Sequence, residues 1–239
     1  MKILQLNVWT GRMKGTLIDF FKENNFDVIC LQEAVWCDKD DLLGNFTITL
    51  DQIKEFSGLK YDFRSANFEV DAFNTKVFQG NAILSREKLS EKNVEVVHGK
   101  FLELNNLKDI KKQGYTLQMV KLPNGLNIVN HHGYWLPTPL GDDKTVTVMK
   151  KVAADVKNLD GPVVMCGDLN ISYESPAMRE LDFLHDLTHK NRVKNTLNGL
   201  KFTGKVACDH ILVSDLKMVK KFKVLDDLIS DHKGLVVEI

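Results

Sequence analysis

Residues 161–170 read GPVVMCGDLN. A short, β-branched, apolar run opened by Gly-Pro is the pattern of a strand buried on both faces, here over 162–167. It stops at an acid and an amide, Asp168 and Asn170. Strand ends in a layered fold share one rim, and loops build sites there.

The same pattern recurs in both directions along the chain. Residues 2–8 (KILQLNV) carry Asn7 at their end, and 27–32 (DVICLQ) run into Glu33. Residues 80–85 (GNAILS) carry Asn81 at their start, and 126–131 (LNIVNH) end in His131 and His132. Residues 209–214 (DHILVS) open on Asp209, and 234–239 (GLVVEI) follow Asp231 and His232. Residues 115–121 (YTLQMVK) read as a further strand, and 59–70, 93–98 and 217–225 as weaker ones. Helical spacing appears over 15–24, where Leu17, Phe20 and Phe21 share a face, and over 144–158, where Met149, Val152, Ala153 and Val156 do. A third helix is expected over 176–186, with Pro176 at its start. Residues 38–58 follow no single period. Strands recur from the first residues to the last with no linker or repeat. The expectation is one domain over 1–239, of class α/β, with two packed sheets flanked by helices.

Composition narrows the function classes. The 239 residues are 44% hydrophobic and include 13 Phe, enough for a core and too much for disorder. Lys plus Arg number 32, as do Asp plus Glu. Zero net charge excludes nucleic-acid binding by bulk electrostatics alone, though not a local basic strip. The lysine pairs at 111–112, 150–151 and 220–221 read as solvated surface. The N-terminus lacks a signal-peptide pattern, and no apolar run reaches membrane-spanning length. Cys30, Cys37, Cys166 and Cys208 form no CxxC pair, and Cys30 and Cys166 sit inside apolar runs as reduced, buried thiols do. These features lead to the expectation of a cytoplasmic protein, with no membrane association, no obligate protein partner and a monomeric state.

Taken singly, each polar residue at a strand end has an ordinary use: an Asp caps a helix, an Asn turns the chain, a His bonds within the core. Five strands ending in acid, amide or imidazole call for a common purpose. Such a set binds a hard divalent cation through oxygen, or works as acid and base.

The segments LNVW, LQEA, GNAILSR, VNHHG, GDLN, DHILVS and SDHKG follow one another over nearly the whole chain. In that order they resemble the motif series of the endonuclease/exonuclease/phosphatase superfamily. That superfamily includes DNase I-like nucleases, abasic-site endonucleases, tyrosyl-DNA phosphodiesterases, deadenylases, inositol polyphosphate 5-phosphatases and neutral sphingomyelinases. The resemblance implies a four-layered αββα sandwich with two mainly antiparallel sheets. It also implies Mg²⁺- or Mn²⁺-dependent hydrolysis of a phosphoester.

By the same resemblance, Asn7, Glu33 and Asp231 match the metal ligands. Asp168 matches the aspartate that orients or deprotonates the attacking water, and Asn170 the amide that holds a phosphoryl oxygen or that water. His232 matches the catalytic histidine paired with Asp209; the choice of base between Asp168 and His232 stays open. In the HH pair, His132 is the better match for a phosphate-oxygen donor, since adjacent strand residues face opposite ways. Asn81 matches a supporting position near the substrate. Trp9 replaces the acid that abasic endonucleases carry, and His132 stands where they have Tyr, which counts against that activity. His210 replaces a common Tyr and is expected to pack on the face away from Asp209.

Trp9, Trp36 and Trp135 each lie within three residues of a proposed site residue, and Tyr134 and Tyr173 are similarly placed. Large aromatics also anchor loops. At least two of the Trp are expected to line the substrate cleft, where each stacked base is worth about 1–3 kcal/mol. Arg12 is the cation best placed for a substrate phosphate. His185 and His189 lie four apart, but without the Glu of HExxH they are not a zinc pair. The leading function is a phosphodiesterase on DNA or another nucleic acid or nucleotide. The alternative is a phosphatase or lipid phosphodiesterase of the inositol phosphate or sphingomyelin type. Specificity is expected in loops 36–79, 99–114, 133–144 and 190–205.

Overall fold

The computed structural model describes residues 1–38, 43–72, 74–104, 107–200 and 204–239. Its first sheet is built from β1 (Lys2–Asn7), β2 (Val28–Cys37), β3 (Tyr61–Ala72), β4 (Thr75–Ser85), β6 (Leu102–Leu104), β12 (Lys221–Val224) and β13 (Leu235–Glu238). The order is β12-β13-β1-β2-β4-β3-β6. The second sheet contains β5 (Ser90–His98), β7 (Tyr115–Lys121), β8 (Asn127–His132), β9 (Val163–Asp168), β10 (His185–Asp186) and β11 (Asp209–Val213), in the order β10-β11-β9-β8-β7-β5. Only β1–β2, β3–β6 and β8–β9 pair parallel; the other neighbours are antiparallel.

Helices α1 (Lys14–Glu23) and α2 (Leu50–Ser57) cover the outer face of the first sheet. Leu17, Phe20, Phe21 and Ile53 pack there on Leu4, Leu6, Ile29, Leu31 and Leu84. Helix α3 (Asp143–Lys157) covers the second sheet, with Met149, Val152 and Val156 against Leu117, Val129 and Met165. A short helix, α4 (Leu187–Lys190), follows β10. Burying each such side chain is worth about 1.5–3 kcal/mol. Ile3, Val28, Cys30, Ile83, Ile128, Val164, Cys166, Ile211 and Val237 fill the space between the sheets. The layers are therefore helix, sheet, sheet, helix, the αββα sandwich expected.

Period-two alternation explains how this architecture makes a site. On each central strand the inward row starts apolar and finishes polar: Ile3, Gln5, Asn7 on β1; Val28, Cys30, Gln32 on β2; Ile128, Asn130, His132 on β8; Val164, Cys166, Asp168 on β9. Rows on β11 (Val213, Ile211, Asp209) and β7 (Val120, Gln118, Thr116) do the same in reverse. One end of the inter-sheet space is hydrocarbon, and the other is lined with carboxylates, amides and imidazoles.

Several expectations need adjustment. The third helix is a 3₁₀ turn at Pro176–Leu181, because the chain then turns into β10 and α4. His185 lies on β10 and His189 on α4, so the two do not share one helix. The unassigned 38–58 region contains α2, held by a capping box between Thr49 and Gln52. Most of the expected specificity loop 36–79 is α2, β3 and the start of β4. Within the expected loops, residues 39–42, 73, 105–106 and 201–203 lie outside the described residues, as do the side chains of Leu107, Lys108 and Lys111. All four cysteines are buried, and Cys30, Cys166 and Cys208 are free thiols. Among the described residues no helix is long and apolar enough to cross a membrane.

Candidate active site

The polar ends of β1, β2, β8, β9 and β11 meet at one rim. Parallel pairing of β8 with β9 sets His132 beside Asp168, and antiparallel pairing of β11 sets Asp209 opposite it. Asp168 Oδ2 lies 3.7 Å from His132 Nε2 and 3.6 Å from His232 Nε2. His232 Nδ1 is 2.9 Å from Asp209 Oδ2. Asn7 Nδ2 donates to Asp168 Oδ2 at 3.0 Å and to Glu33 Oε1 at 3.3 Å. Asn7 Oδ1 accepts from the Trp9 N–H at 2.9 Å. Asn7 is thus a strut between two carboxylates.

Backbone geometry at the rim is unusual. β2 carries a bulge between Leu31 and Ala34, and Glu33 within it has φ 53°. Trp9, Thr10 and Asn170 also have φ near 50°, at 48°, 52° and 55°. Such conformations cost about 1–3 kcal/mol each in non-glycine residues and concentrate at functional sites. The bulge turns Glu33 out of the strand's alternation, next to the inward-facing Asn7. Gly133 is required where β8 leaves the sheet, because a Cβ there would lie 2.1 Å from the Leu169 carbonyl oxygen. That close approach lets Asn170 Nδ2 bond the Gly133 carbonyl at 2.9 Å, while the Asn170 N–H bonds Asp168 Oδ1 at 3.0 Å.

The electrostatics follow from burial and neighbours. Burial pushes the Asp168 carboxyl up; His232 opposes this and Asp209 adds to it, leaving it raised. Burial would lower the His232 imidazole, but Asp209 and Asp168 outweigh it and hold it well above its usual value. Asp209 is fully buried, yet His232, Thr196 and Gln5 hold its carboxyl below the usual value. Thr196 Oγ1 donates to Asp209 Oδ2 at 2.6 Å and Gln5 Nε2 to Oδ1 at 3.0 Å. Ser230 Oγ donates to the Asn7 carbonyl at 2.7 Å, lies 3.2 Å from Asp231 Oδ1 and accepts from the His232 N–H at 3.3 Å, tying Asp231 and His232 to β1.

Thr196, Gln5 and Ser230 were not anticipated as site residues. Gln5 is two residues before Asn7 on the same face, a signal in the sequence; Thr196 has none. Beneath the rim runs a further unanticipated layer of amides. Gln5 bonds Gln32, Gln32 bonds Asn130, and Asn130 Nδ2 donates to Gln118 and to the Leu31 and Ala82 carbonyls. Asn81, expected beside the substrate, belongs to this layer: it is fully buried and donates to Thr116. Its place is support from below.

The aromatics divide. Trp135 and Tyr173 are 47% and 40% exposed. Trp9 is half-buried with the Arg12 guanidinium 5.2 Å from its ring centre. Trp36 instead stacks on Phe78 and packs into the helix-covered core, an anchor rather than a cleft wall. Tyr134 packs against His98 and Tyr115, and Tyr173 stacks on His189. His131 faces away from the inter-sheet space, with Nδ1 3.0 Å from the Thr116 carbonyl; burial lowers its pKa to about 4. His210 faces away from Asp209 as expected, but it does more than pack. Its Nδ1 is 2.8 Å from Asp186 and its Nε2 is 2.9 Å from the Ile171 carbonyl, pinning the loop after Asn170.

The donor set suits a hard cation. Among the described residues, the ion pairs of Asp168 and Asp209 are with histidines alone, and no Lys or Arg pairs with Glu33. Carboxylate oxygens gathered at a rim with no Lys or Arg partner among the described residues suit a hard cation. Glu33, Asp231 and the amide oxygen of Asn7 are the groups that would hold it, with Asn7 Nδ2 bonded to Glu33 at 3.3 Å.

The family model for the endonuclease/exonuclease/phosphatase family matches residues 4–232. No curated protein matches the chain. Among solved structures, it is similar to an endonuclease/exonuclease/phosphatase from Beutenbergia cavernae DSM 12333 (19% identity, 99% of this chain and 70% of that one, TM-score 0.67). It is also similar to the human Nocturnin catalytic domain with bound sulfate (14%, 99% and 92%, 0.65). A third is a mannosyl-6-phosphatase from Bacteroides thetaiotaomicron VPI-5482 (16%, 100% and 98%, 0.66). At these identities the likeness is one of fold. With a match spanning nearly every strand and every motif at the rim, the chain belongs to the endonuclease/exonuclease/phosphatase family.

Proposed function

We propose that this protein is a Mg²⁺- or Mn²⁺-dependent phosphodiesterase acting on DNA or another nucleic acid or nucleotide. The observation that carries the reading is Asp168 Oδ2, set between the Nε2 atoms of His132 and His232 at 3.7 and 3.6 Å. Asn7, Glu33 and Asp231 would hold the cation, which would neutralise charge at the phosphoryl and leaving oxygens. Asp168, its carboxyl raised by burial, orients the attacking water and takes its proton. His232, held by Asp209, keeps its Nε2–H for a phosphoryl oxygen as charge builds. That assignment makes Asp168 the base. His132 donates to a second phosphoryl oxygen. Asn170, fixed through Gly133 and Asp168, keeps water and phosphorus in line. Trp9 and Trp135 supply flat surfaces for a base, with Arg12 beside Trp9 for a neighbouring phosphate.

The test is a Mg²⁺-dependent panel of single- and double-stranded DNA, RNA, 5′-tyrosyl-DNA, abasic DNA, nucleotides, inositol phosphates, a sugar phosphate and sphingomyelin. Turnover highest on a nucleic acid or nucleotide supports the proposal. Turnover confined to the inositol phosphates, sugar phosphate or sphingomyelin would refute the substrate class while leaving the chemistry standing.

A further inference from the structure

A cavity of about 640 Å³ opens beside the rim, and the reaction above makes no use of it. It meets the rim at Tyr173, three residues after Asn170. From there it runs down the outer face of the second sheet to Leu212 on β11 and His185 on β10. Leu212 is three residues along β11 from Asp209, so the cavity reaches about 10 Å from the rim. Met178, Leu181 and Leu212 give it an apolar floor. Its volume suits a ligand of nucleotide size, and a double helix is too wide to enter.

The polar wall of the cavity is cationic. Lys190 and Arg192 line it with His185 and His189, and among the described residues no carboxylate pairs with either cation. Of the two acids in the lining, Asp186 is already held by His210 Nδ1 at 2.8 Å and by the Thr188 and His189 N–H groups, which leaves Asp182. Arg192 stands in an unusual place. Its N–H bonds the His189 carbonyl at 2.8 Å, and the Val193 N–H bonds the Thr188 carbonyl at 3.1 Å, which closes α4 in a Schellman turn. The residue at that turn is left-handed, and Arg192 has φ 55° where glycine is the ordinary choice. A guanidinium kept there at a conformational cost fits a role in the cavity it lines. At the mouth, Tyr173 stacks on His189 with ring centres 3.2 Å apart and planes 9° apart. The pair fixes a ring that stays 40% exposed, a flat surface between the rim and the two cations.

We propose that this cavity binds the single strand beyond the scissile phosphate, with a base stacked on Tyr173 and the following phosphates on Lys190 and Arg192. At about 3.4 Å for each stacked nucleotide, three of them cover the length of the cavity. A strand whose scissile phosphate lies at Asp168 therefore reaches both cations. The proposal rests on the nucleic-acid reading above. It adds the side on which the strand leaves the rim and a preference for single strands several nucleotides long.

Arg192→Gly tests this cleanly, because the backbone there suits glycine and the variant keeps the fold, as circular dichroism checks. Binding of a fluorescent single strand of about twelve nucleotides is read by anisotropy in EDTA. Kd should rise at least about threefold in Arg192→Gly and about tenfold in Arg192→Gly/Lys190→Ala. The slope of log affinity against log salt should flatten by about 0.7 for each cation removed, a change that a merely structural role would not produce. In turnover, kcat/KM on the strand should fall by similar factors relative to bis(p-nitrophenyl) phosphate, which is too short to reach the cavity, with the loss in KM. A double variant with wild-type Kd and salt slope would overturn the proposal. So would a wild type that binds the strand no more tightly than a mononucleotide, even if it hydrolyses bis(p-nitrophenyl) phosphate. If the wild type hydrolyses no phosphoester, the reading of the chemistry fails, while the anisotropy series still decides the subsite.

Discussion

Replacing Asp209 by Asn separates the role of the buried dyad from that of the rest of the rim. Asp209 is fully buried and accepts from Gln5 at 3.0 Å, Thr196 at 2.6 Å and His232 at 2.9 Å. An Asn can keep the Gln5 bond through Oδ1. Its Nδ2 then faces the His232 Nδ1–H and the Thr196 hydroxyl, donor against donor. Removing one partner of a buried pair costs about 3–5 kcal/mol. At roughly 2–4 °C per kcal/mol for a chain of this size, Tm should fall by about 6–20 °C. The reaction should suffer separately, because His232 loses both its tautomer and its orientation. Assayed well below the new Tm, kcat should drop about 10²–10⁴-fold, while KM stays within a few-fold, since no substrate contact is removed. The assay is Mg²⁺-dependent turnover of the best panel substrate, alongside a calorimetric scan. A kcat within about threefold of wild type would refute the claim that Asp209 sets the working state of His232.

Other outcomes follow from the same geometry. Asn130→Leu removes a side chain bonded to Gln32, Gln118 and two strand carbonyls, so urea unfolding should show at least about 2 kcal/mol lost; a change below about 0.5 kcal/mol would contradict a structural role for the amide layer. Trp9→Ala and Trp135→Ala should raise KM on a nucleic-acid substrate with kcat little altered, each loss being about 1–3 kcal/mol per stacked base, whereas Trp36→Ala should lower Tm; kinetics unchanged in both rim variants would defeat the stacking proposal. His131 is fully buried with its pKa lowered to about 4 from 6.5, so the unfolded chain takes up a proton as pH falls while the folded one does not. Its contribution is present above pH 6.5, falls by about 2 kcal/mol by pH 5 and goes on falling towards pH 4. The stability difference between wild type and His131→Asn should narrow by that amount from pH 7 to 5; a pH-independent difference would count against it.

Much of the fold could be read from local pattern because the central strands are apolar segments that end sharply. GPVVMCG is a continuous run, while LNIVNH and KILQLN set Ile, Val and Leu between polar residues, and each segment stops at the polar residues that mark the rim. Alternation also favoured His132 over His131, and the two do face opposite ways. The amide layer was not legible. Gln5, Gln32, Asn130 and Gln118 each sit alone inside an apolar run, and only strand pairing shows that they face one another. The Glu33 bulge was hidden for a related reason: an extra residue leaves no mark on composition. Helix α2 escaped because Leu50, Ile53 and Ser57 make only two turns of buried face. The 176–186 segment misled because Pro176 starts a 3₁₀ turn as well as it starts an α-helix. Trp36 shows the limit of proximity in sequence, for three residues along a strand carry a side chain from the rim into the core.

The central claim is that the carboxylates at this rim work through a divalent cation on a phosphoester, and hydrolysis of bis(p-nitrophenyl) phosphate tests it most directly. Turnover should appear with Mg²⁺ or Mn²⁺, vanish with EDTA and return when the cation is restored. Glu33→Gln should need at least about tenfold more Mg²⁺ for half-maximal rate. Undiminished hydrolysis in EDTA, or a Glu33→Gln variant with wild-type Mg²⁺ dependence, would contradict the account.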